Sequence, residues 1–136
     1  MGRILCIDYG MKRCGIATTD PLQIIVSGLD TVLRLELMDF LQSYCGKEAV
    51  VKIVFGDPSL LNEGASHMTV QIRNFAKKVE KQFPSIEIDF HDESFTSSHA
   101  KQIILQSGKR KKQRRDKSLV DKVSAVLILQ DYLGHI

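Results

Sequence analysis

The chain has 136 residues, 43% of them apolar and 26% charged, with a net charge of +3, which is typical of one soluble domain and too short for two. No apolar run approaches the roughly 20 residues of a membrane span, and no cleavable signal sequence precedes the first strand-like stretch, so we expect a cytoplasmic protein with no membrane contact. Three cysteines without a C-x-x-C pair and four histidines without ligand spacing exclude a disulfide scaffold and a zinc ribbon.

The first third of the chain predicts three strands joined by turns. Segments 3–8 and 14–19 are short and mainly apolar, and glycines interrupt the chain between them. Asp20 and Pro21 mark a further turn, after which 24–29 can form a third strand. The pattern indicates an antiparallel meander.

Helices and strands alternate in the rest of the chain. The periodicity predicts a helix from 33 to 46, a strand over 49–55, a helix over 66–83, a strand over 86–90 and helices over 96–106 and 118–133. The order is then β-β-β-α-β-α-β-α-α. It favours an α/β fold, with one mixed five-stranded sheet and helices on both faces, formed as a single domain over 1–136.

The charge is concentrated in a basic loop predicted over 108–117. This loop holds seven of the 19 cations and one of the 16 acids, so it carries +6 while the remainder of the chain carries −3. Such asymmetry is expected of a segment that binds a polyanion, although a solvated charge run is the alternative. The predicted nucleic-acid-binding cations are Lys109, Arg110, Lys111, Lys112, Arg114, Arg115 and Lys117.

Three carboxylates fall where strand ends and a helix could converge. Asp8 ends the first strand, Glu93 follows the last strand, and Asp121 is placed in the first turn of the final helix. Clustered carboxylates need a neutralising cation, and hard oxygen ligands favour Mg²⁺ or Mn²⁺. Such a metal assists phosphodiester hydrolysis. Each acid could instead serve only a turn, a loop or a helix end, and we expect His91 to have a supporting role or none.

Four motifs in order along the chain make the sequence recognisable. They are D-x-G-x-x-R-x-G-x-A at 8–17, a buried strand leading to G-x-P at 54–58, a form of D-E-R-x-[ST]-[ST] at 92–97, and D-x-x-[SA]-A at 121–125 running to Q-x-Y-L at 130–133. In these motifs the chain resembles, over essentially its whole length, the YqgF family. Members of that family are described as pre-16S rRNA nucleases and as relatives of Holliday junction resolvases with an RNase H-like fold.

The resemblance implies an RNase H-like nuclease, a hydrolase of ester bonds, whose catalytic and metal-binding acids are Asp8, Glu93 and Asp121. It implies that Arg13 meets a phosphate or braces the acids. The basic loop would hold the nucleic-acid backbone without reading sequence. Structural turns are assigned to Gly10, Gly15, Gly56 and Pro58.

Two positions depart from the family pattern. Ser94 stands where an Arg is expected after Asp92 and Glu93, which removes a guanidinium that could grip a phosphate or orient Glu93. Asp57 replaces an apolar residue before Pro58, where it could either supplement the acids or repel substrate. A fourth acid used by RuvC-type resolvases is also absent before Asp121, which favours RNA processing over junction resolution.

The main functional prediction is processing of the 5′ end of precursor 16S rRNA, with branched DNA as the alternative substrate. A non-catalytic nucleic-acid-binding module is a second alternative, because of Ser94. An ATPase of the actin, hexokinase and Hsp70 type is disfavoured, since those enzymes bind nucleotide between two such lobes. A monomer or weak dimer is expected, with a ribosomal partner as a candidate.

Overall fold

Strands and helices alternate as expected through residues 2–58, 66–93 and 117–135, which are the residues that the computed structural model describes. The elements within those ranges are β1 (Arg3–Asp8), β2 (Arg13–Thr19), β3 (Val26–Leu33), a 3₁₀ turn (Arg34–Glu36), α1 (Leu37–Lys47), β4 (Val50–Asp57), α2 (Ser66–Gln82), β5 (Glu87–Asp92) and α3 (Lys117–Tyr132). None of these helices is both long enough and apolar enough to cross a membrane.

The five strands form one mixed sheet in the order β3-β2-β1-β4-β5. β1 pairs antiparallel with β2, and β2 pairs antiparallel with β3, which is the predicted meander. β4 pairs parallel with β1 on one side and with β5 on the other. The predicted α/β fold class is confirmed, and the arrangement agrees with the RNase H-like fold that the resemblance implied.

β1 lies at the centre of the sheet and is covered on both faces, which explains its continuous apolar sequence. Its residues Leu5 and Ile7 pack with Ile53 and Phe55 of β4 against α1 and α2. Because successive side chains alternate between faces, Ile4 and Cys6 point to the other side, where they pack with α3. Asp8 continues this second series and therefore lies on the α3 face.

α3 presents small and apolar side chains to the sheet. Ser124, Ala125, Ile128 and Leu129 are buried, and the helix crosses β2, β3 and β1. The small residues let the helix backbone approach the strands closely. Helices thus cover both faces of the sheet, with α1 and α2 on one side and α3 on the other.

The third strand differs from its predicted bounds of 24–29. The Asp20 carboxylate accepts hydrogen bonds from the backbone N–H groups of Ile24 and Ile25, both at 2.7 Å, and holds them in the turn. β3 instead continues to Leu33, which pairs with Arg13 at the start of β2. The helix was therefore predicted to begin too early, at Leu33. An apolar residue at this position suits the end of an edge strand as well as the start of a helix.

The boundaries near the final helix also differ. Lys117, predicted as the end of the basic loop, is the first residue of α3. Asp121 is consequently the fifth residue of that helix and lies in its second turn, so its placement in the first turn was wrong. The predicted helix over 96–106 and the rest of the predicted basic loop, 108–116, lie outside the described residues.

Candidate active site

The candidate site lies at one edge of the sheet, where three parallel strands end. β1 ends at Asp8, β4 at Asp57 and β5 at Asp92, and Glu93 follows β5 directly. Because parallel strands carry their carboxyl ends to the same edge, acids that are distant in sequence meet there. The predicted convergence of Asp8 and Glu93 follows from this topology.

Asp8 and Glu93 are in direct contact through a hydrogen bond between their carboxyl groups. Burial raises the pKa of Glu93 well above its ordinary value, and the negative charge of Asp8 and the hydrogen bond to it add to the increase. Burial also raises the pKa of Asp8. Two such carboxyl groups stay together when a proton or a cation neutralises part of their charge.

Gly56 provides the space that Glu93 occupies. A methyl group at position 56 would lie 2.7 Å from Oε2 of Glu93 and 2.9 Å from Cδ1 of Ile128. Gly56 is on β4, which pairs with β1, so Glu93 reaches over β4 toward Asp8. The glycine predicted as a turn residue therefore acts within a strand, by leaving room for an acid.

Asp121 approaches the same edge from α3. Its backbone carbonyl lies directly over Gly15 of β2, where an added Cβ would be 2.0 Å from the carbonyl oxygen. Gly15 pairs with Asp8 across β1 and β2, so the helix places Asp121 next to the residue that neighbours Asp8 in the sheet. The side chain of Asp121 is mostly buried, with an exposed fraction of 19%.

Arg13 lies next to Asp121, with 3.8 Å between its Nε and Oδ2 of Asp121. That Nε is buried and makes no hydrogen bond within the described part of the chain. The guanidinium is thus near enough to neutralise the carboxylate while it keeps donors for a second partner. This position fits either of the roles predicted for Arg13, bracing an acid or meeting a phosphate.

The three predicted acids do not form a ready metal cage. Within residues 2–58, 66–93 and 117–135, no group of three His, Cys, Asp or Glu side chains is arranged to hold one ion. The structure brings Asp8 and Glu93 together and leaves Asp121 beside Arg13 at the neighbouring strand. The site is therefore a carboxyl pair with a third acid close by.

An open cleft of about 360 Å³ adjoins the third acid. It is lined by the turn between β1 and β2, including Gly10 and Lys12, and by Arg13 and Asp121. Lys12 is exposed and Arg13 is partly exposed, so the cleft has a cationic wall opposite an acid. A phosphate group is the kind of ligand that such a wall attracts.

Asp57 faces away from the acid pair, toward α2. It is fully buried and accepts hydrogen bonds from Arg73 at 2.7 Å and from Thr69 at 3.2 Å, both on α2. The Arg73 guanidinium also lies over the ring of Phe90, 3.7 Å from its centroid. Asp57 adds to the negative field that raises the pKa of Glu93, but its carboxylate is bound into an ion pair on the α2 face.

His91 contacts the far end of α3 and not the acids, which favours the second of the two expectations, that it has no role at the site. Its Nε2 lies 2.7 Å from Oδ2 of Asp131, and its ring packs edge-on against Tyr132. Tyr132 in turn donates a hydrogen bond to Asp89 and accepts one from Lys52. This network fixes α3 to β4 and β5 at a distance from the acids.

Several residues of interest were missed by sequence reasoning. Arg73 and Thr69 are four residues apart on α2 and share one side of that helix, which was the available signal for their joint contact with Asp57. Arg34 and Gln71, two residues that line a second cavity, carried no such signal. Ser94 and the predicted cations Lys109, Arg110, Lys111, Lys112, Arg114 and Arg115 lie outside the described residues. Pro58 directly follows β4, as predicted for the strand end.

Comparison with known proteins identifies the family. The family model described as "RuvX: Holliday junction resolvase" matches residues 2–135. The chain belongs to the RuvX family. The match spans all the elements from β1 to α3. RuvX and YqgF are two names of one family, so the match confirms the membership that the four motifs predicted.

Curated RuvX relatives align along almost the whole chain. A protein of Porphyromonas gingivalis is 53% identical over 135 residues, covering 99% of this chain and 98% of that protein. Relatives from Flavobacterium psychrophilum and Bacteroides thetaiotaomicron are 48% and 45% identical over 133 residues, covering 98% of this chain and 97% and 96% of those proteins. All three are named "Putative pre-16S rRNA nuclease". The predicted enzyme class, a hydrolase of ester bonds, is the class that these names denote.

Proposed function

We propose that this protein is a metal-dependent nuclease that hydrolyses phosphodiester bonds during maturation of the 5′ end of precursor 16S rRNA. The observation that carries the proposal is the contact between Asp8 and Glu93, with Asp121 beside the pairing partner of Asp8. The names of the relatives support the substrate. Such a precursor is made in the cytoplasm, where we expect the protein to act.

The donor set fits a divalent cation of the Mg²⁺ or Mn²⁺ type. Asp8 and Glu93 are half-buried and offer hard oxygen atoms whose charge a cation would neutralise, and Asp121 supplies the third acid. When bound, the metal supplies an activated water and stabilises the charge on the phosphodiester. The metal is a proposal from the chemistry of the acids and of the family.

The residues around the acids have complementary roles in this proposal. Arg13 neutralises Asp121 in the absence of substrate and can turn a guanidinium N–H to a phosphate oxygen in the cleft. Asp8 and Glu93 are each partly removed from water, which strengthens their attraction for a cation that would lie between them and a phosphate. Gly56 and Gly15 permit the close approach of Glu93 and Asp121 to the sheet.

The cations at 109–117 supply affinity for the nucleic-acid backbone in this proposal. Replacing Lys111, Lys112, Arg114 and Arg115 by Ala removes four positive charges, so the slope of log affinity against log salt should flatten by about 3–4 units. The loss should be equal for RNAs of unrelated sequence, since backbone contacts carry no base information. A slope that stays at the wild-type value would exclude this segment from the substrate interface.

Branched DNA is the second candidate substrate, because the matching family model is described as a Holliday junction resolvase. Both substrates present a phosphodiester to the same acids, so the site alone does not separate them. The comparison must be made with RNA and DNA side by side under the same conditions.

The decisive experiment is single-turnover cleavage of a labelled precursor rRNA 5′ segment and of a four-way DNA junction, with Mn²⁺ or with EDTA. We expect metal-dependent cleavage of the RNA by the wild type and loss of cleavage in Asp8→Asn and in Asp121→Asn. Asp39→Asn is the matched control, since Asp39 is an exposed acid in the first turn of α1.

The outcomes separate the candidate functions. Selective cutting of the junction would move the assignment to a resolvase. If none of the four proteins cleaves either substrate while all bind RNA, the protein is a binding module, and Ser94→Arg becomes the variant to test. Cleavage that persists in both acid variants would place the chemistry elsewhere.

A further inference from the structure

A second, smaller cavity lies on the other face of the sheet, between the end of β1, the 3₁₀ turn and α2. Its volume is about 170 Å³. The described residues that line it are Tyr9, Arg34, Gln71, Asn74, Phe75 and Lys78. None of these residues belongs to the acid site, and the cavity has no role in the proposed chemistry.

Two side chains of the lining each carry a buried polar atom that has no hydrogen-bond partner among the residues that the structure describes. These atoms are Nε of Arg34, a donor, and Oε1 of Gln71, an acceptor. Buried polar groups in folded proteins are almost always paired with protein, water or ligand, and an exception calls for an explanation. Both side chains line the cavity, so a polar ligand that enters it can supply the missing partners once these atoms turn toward it.

The charge of the described lining indicates an anion. Arg34 and Lys78 are cations, Asn74 adds a carboxamide, and no carboxylate is among the described lining residues. Tyr9 and Phe75, whose ring centroids are 5.4 Å apart, form the apolar side of the cavity. Two cations beside donor amides suit a phosphate group, which accepts several hydrogen bonds at once. The Gln71 oxygen would accept from a bridging water or from a ribose hydroxyl.

The cavity and the acid site are linked by one short turn. Asp8 faces α3, and Tyr9, the next residue, faces α2 and lines the cavity. Residues 10–13 of the same turn line the cleft at Asp121. The backbone N–H of Arg34 donates to the carbonyl of Lys12 at 2.8 Å, which ties the 3₁₀ turn to this segment. A nucleic-acid strand that lies across this turn would therefore contact both faces of the sheet.

We propose that the cavity binds a backbone phosphate of the nucleic-acid substrate, at a distance along the strand from the phosphodiester that reaches the acids. Arg34 and Lys78 hold the phosphate, and the carboxamides of Gln71 and Asn74 complete its shell. This inference rests on the proposed nuclease function. It assigns to the α2 face the role of positioning the strand rather than cutting it.

The first test is RNA binding in EDTA, which is independent of cleavage. The double variant with Arg34→Met and Lys78→Met should reduce the slope of log affinity against log salt by about 1.4–1.8 units, since each lost phosphate contact contributes roughly 0.7–0.9. Lys77→Met is the matched control, because Lys77 is an exposed lysine on the same helix that does not line the cavity. Lys78→Met alone should give about half of the change, and it keeps the test valid if the double variant does not fold.

The second test observes the cavity directly. In ¹⁵N-labelled protein, the Nε–H resonance of Arg34 and the side-chain amide of Gln71 should shift when a short RNA is added. Inorganic phosphate at the same concentration should leave them unchanged, because the strand gains its affinity from several contacts. If only free phosphate shifts them, the cavity is a site for small anions and the strand assignment is wrong.

Failure of the inference and failure of the proposed function give different results. A wild type that cleaves RNA, combined with an unchanged salt slope in Arg34→Met with Lys78→Met, rejects the phosphate cavity alone. A wild type that neither binds nor cleaves nucleic acid rejects both. Resonances that do not respond to RNA or to phosphate show that neither binds in the cavity, which also overturns the inference.

Discussion

The closest backbone contact at the candidate site gives the sharpest prediction. Changing Gly15 to Ala would place a methyl group 2.0 Å from the carbonyl oxygen and 2.4 Å from the carbonyl carbon of Asp121, whereas ordinary Cβ contacts begin near 3.4 Å. Both atoms belong to the backbone of α3, so no side chain can rotate away. The helix must retreat by about 1 Å, and it then loses packing of Ala125, Ile128 and Leu129 against the sheet.

We expect Gly15→Ala to destabilise the protein by about 3 kcal/mol, the upper end of the range for overpacked cores. Urea unfolding followed by circular dichroism should show a midpoint lower by roughly 1–2 M. Because the displaced helix carries Asp121, single-turnover cleavage should fall by about 100-fold even where the variant is fully folded.

Two other glycines serve as controls for this prediction. Gly28→Ala would meet the Cγ of Lys122 at 2.8 Å, a side-chain atom and not the helix backbone, so its cost should stay at about 1 kcal/mol. Gly46→Ala has open space around it in α1 and should stabilise the protein by up to about 1 kcal/mol. A Gly15→Ala variant whose free energy of unfolding lies within about 0.5 kcal/mol of the wild-type value would refute the close packing of α3 on β2.

Three further predictions concern other contacts. Arg73→Met should lower the free energy of unfolding in urea by about 2–3 kcal/mol. This is less than the full cost of breaking a buried ion pair, because Arg73 is half-exposed. Adding Asp57→Asn should recover part of the loss, and equal losses in the single and double variants would contradict the ion pair. Gly56→Ala should displace Glu93 and weaken Mn²⁺ binding measured by calorimetry, while Gly46→Ala leaves binding unchanged. Tyr132→Phe should cost about 1 kcal/mol at neutral pH. The hydrogen bond from Tyr132 lowers the pKa of Asp89. The stabilisation is therefore present above the ordinary Asp pKa and is lost as pH falls through the lower pKa of the folded state. A difference in stability between Tyr132→Phe and the wild type that persists below pH ~2 would argue against this bond.

Much of the fold could be predicted because local and global signals agree in it. β1 is a continuous apolar run that occupies the centre of the sheet, and α2 was predicted within one residue of its observed end. The bounds of β3 were wrong because an edge strand is fixed by its pairing with β2, and the side chain of Asp20 captures the two residues that looked most strand-like. Side-chain capture of this kind carries little periodic signal.

The candidate site divides in the same way. The convergence of Asp8 and Glu93 follows from strand ends, which a sequence pattern can locate. The side of the sheet that Asp57 faces was open in the sequence, because it depends on the strand's register relative to α2. The cavity at Arg34 and Gln71 could not be predicted, since three parts of the chain that are far apart in sequence, the end of β1, the 3₁₀ turn and α2, come together to form it.

The order in which the acids occur along the chain has a consequence during protein synthesis. Asp8 ends the first strand to leave the ribosome, Glu93 follows the last strand, and Asp121 comes on the final helix described. β1 can pair with β2 early, but the edge that gathers the acids requires β4, β5 and α3 as well. A nascent chain therefore carries one acid without its companions, so the proposed nuclease would gain its complete acid site only after the last helix has docked.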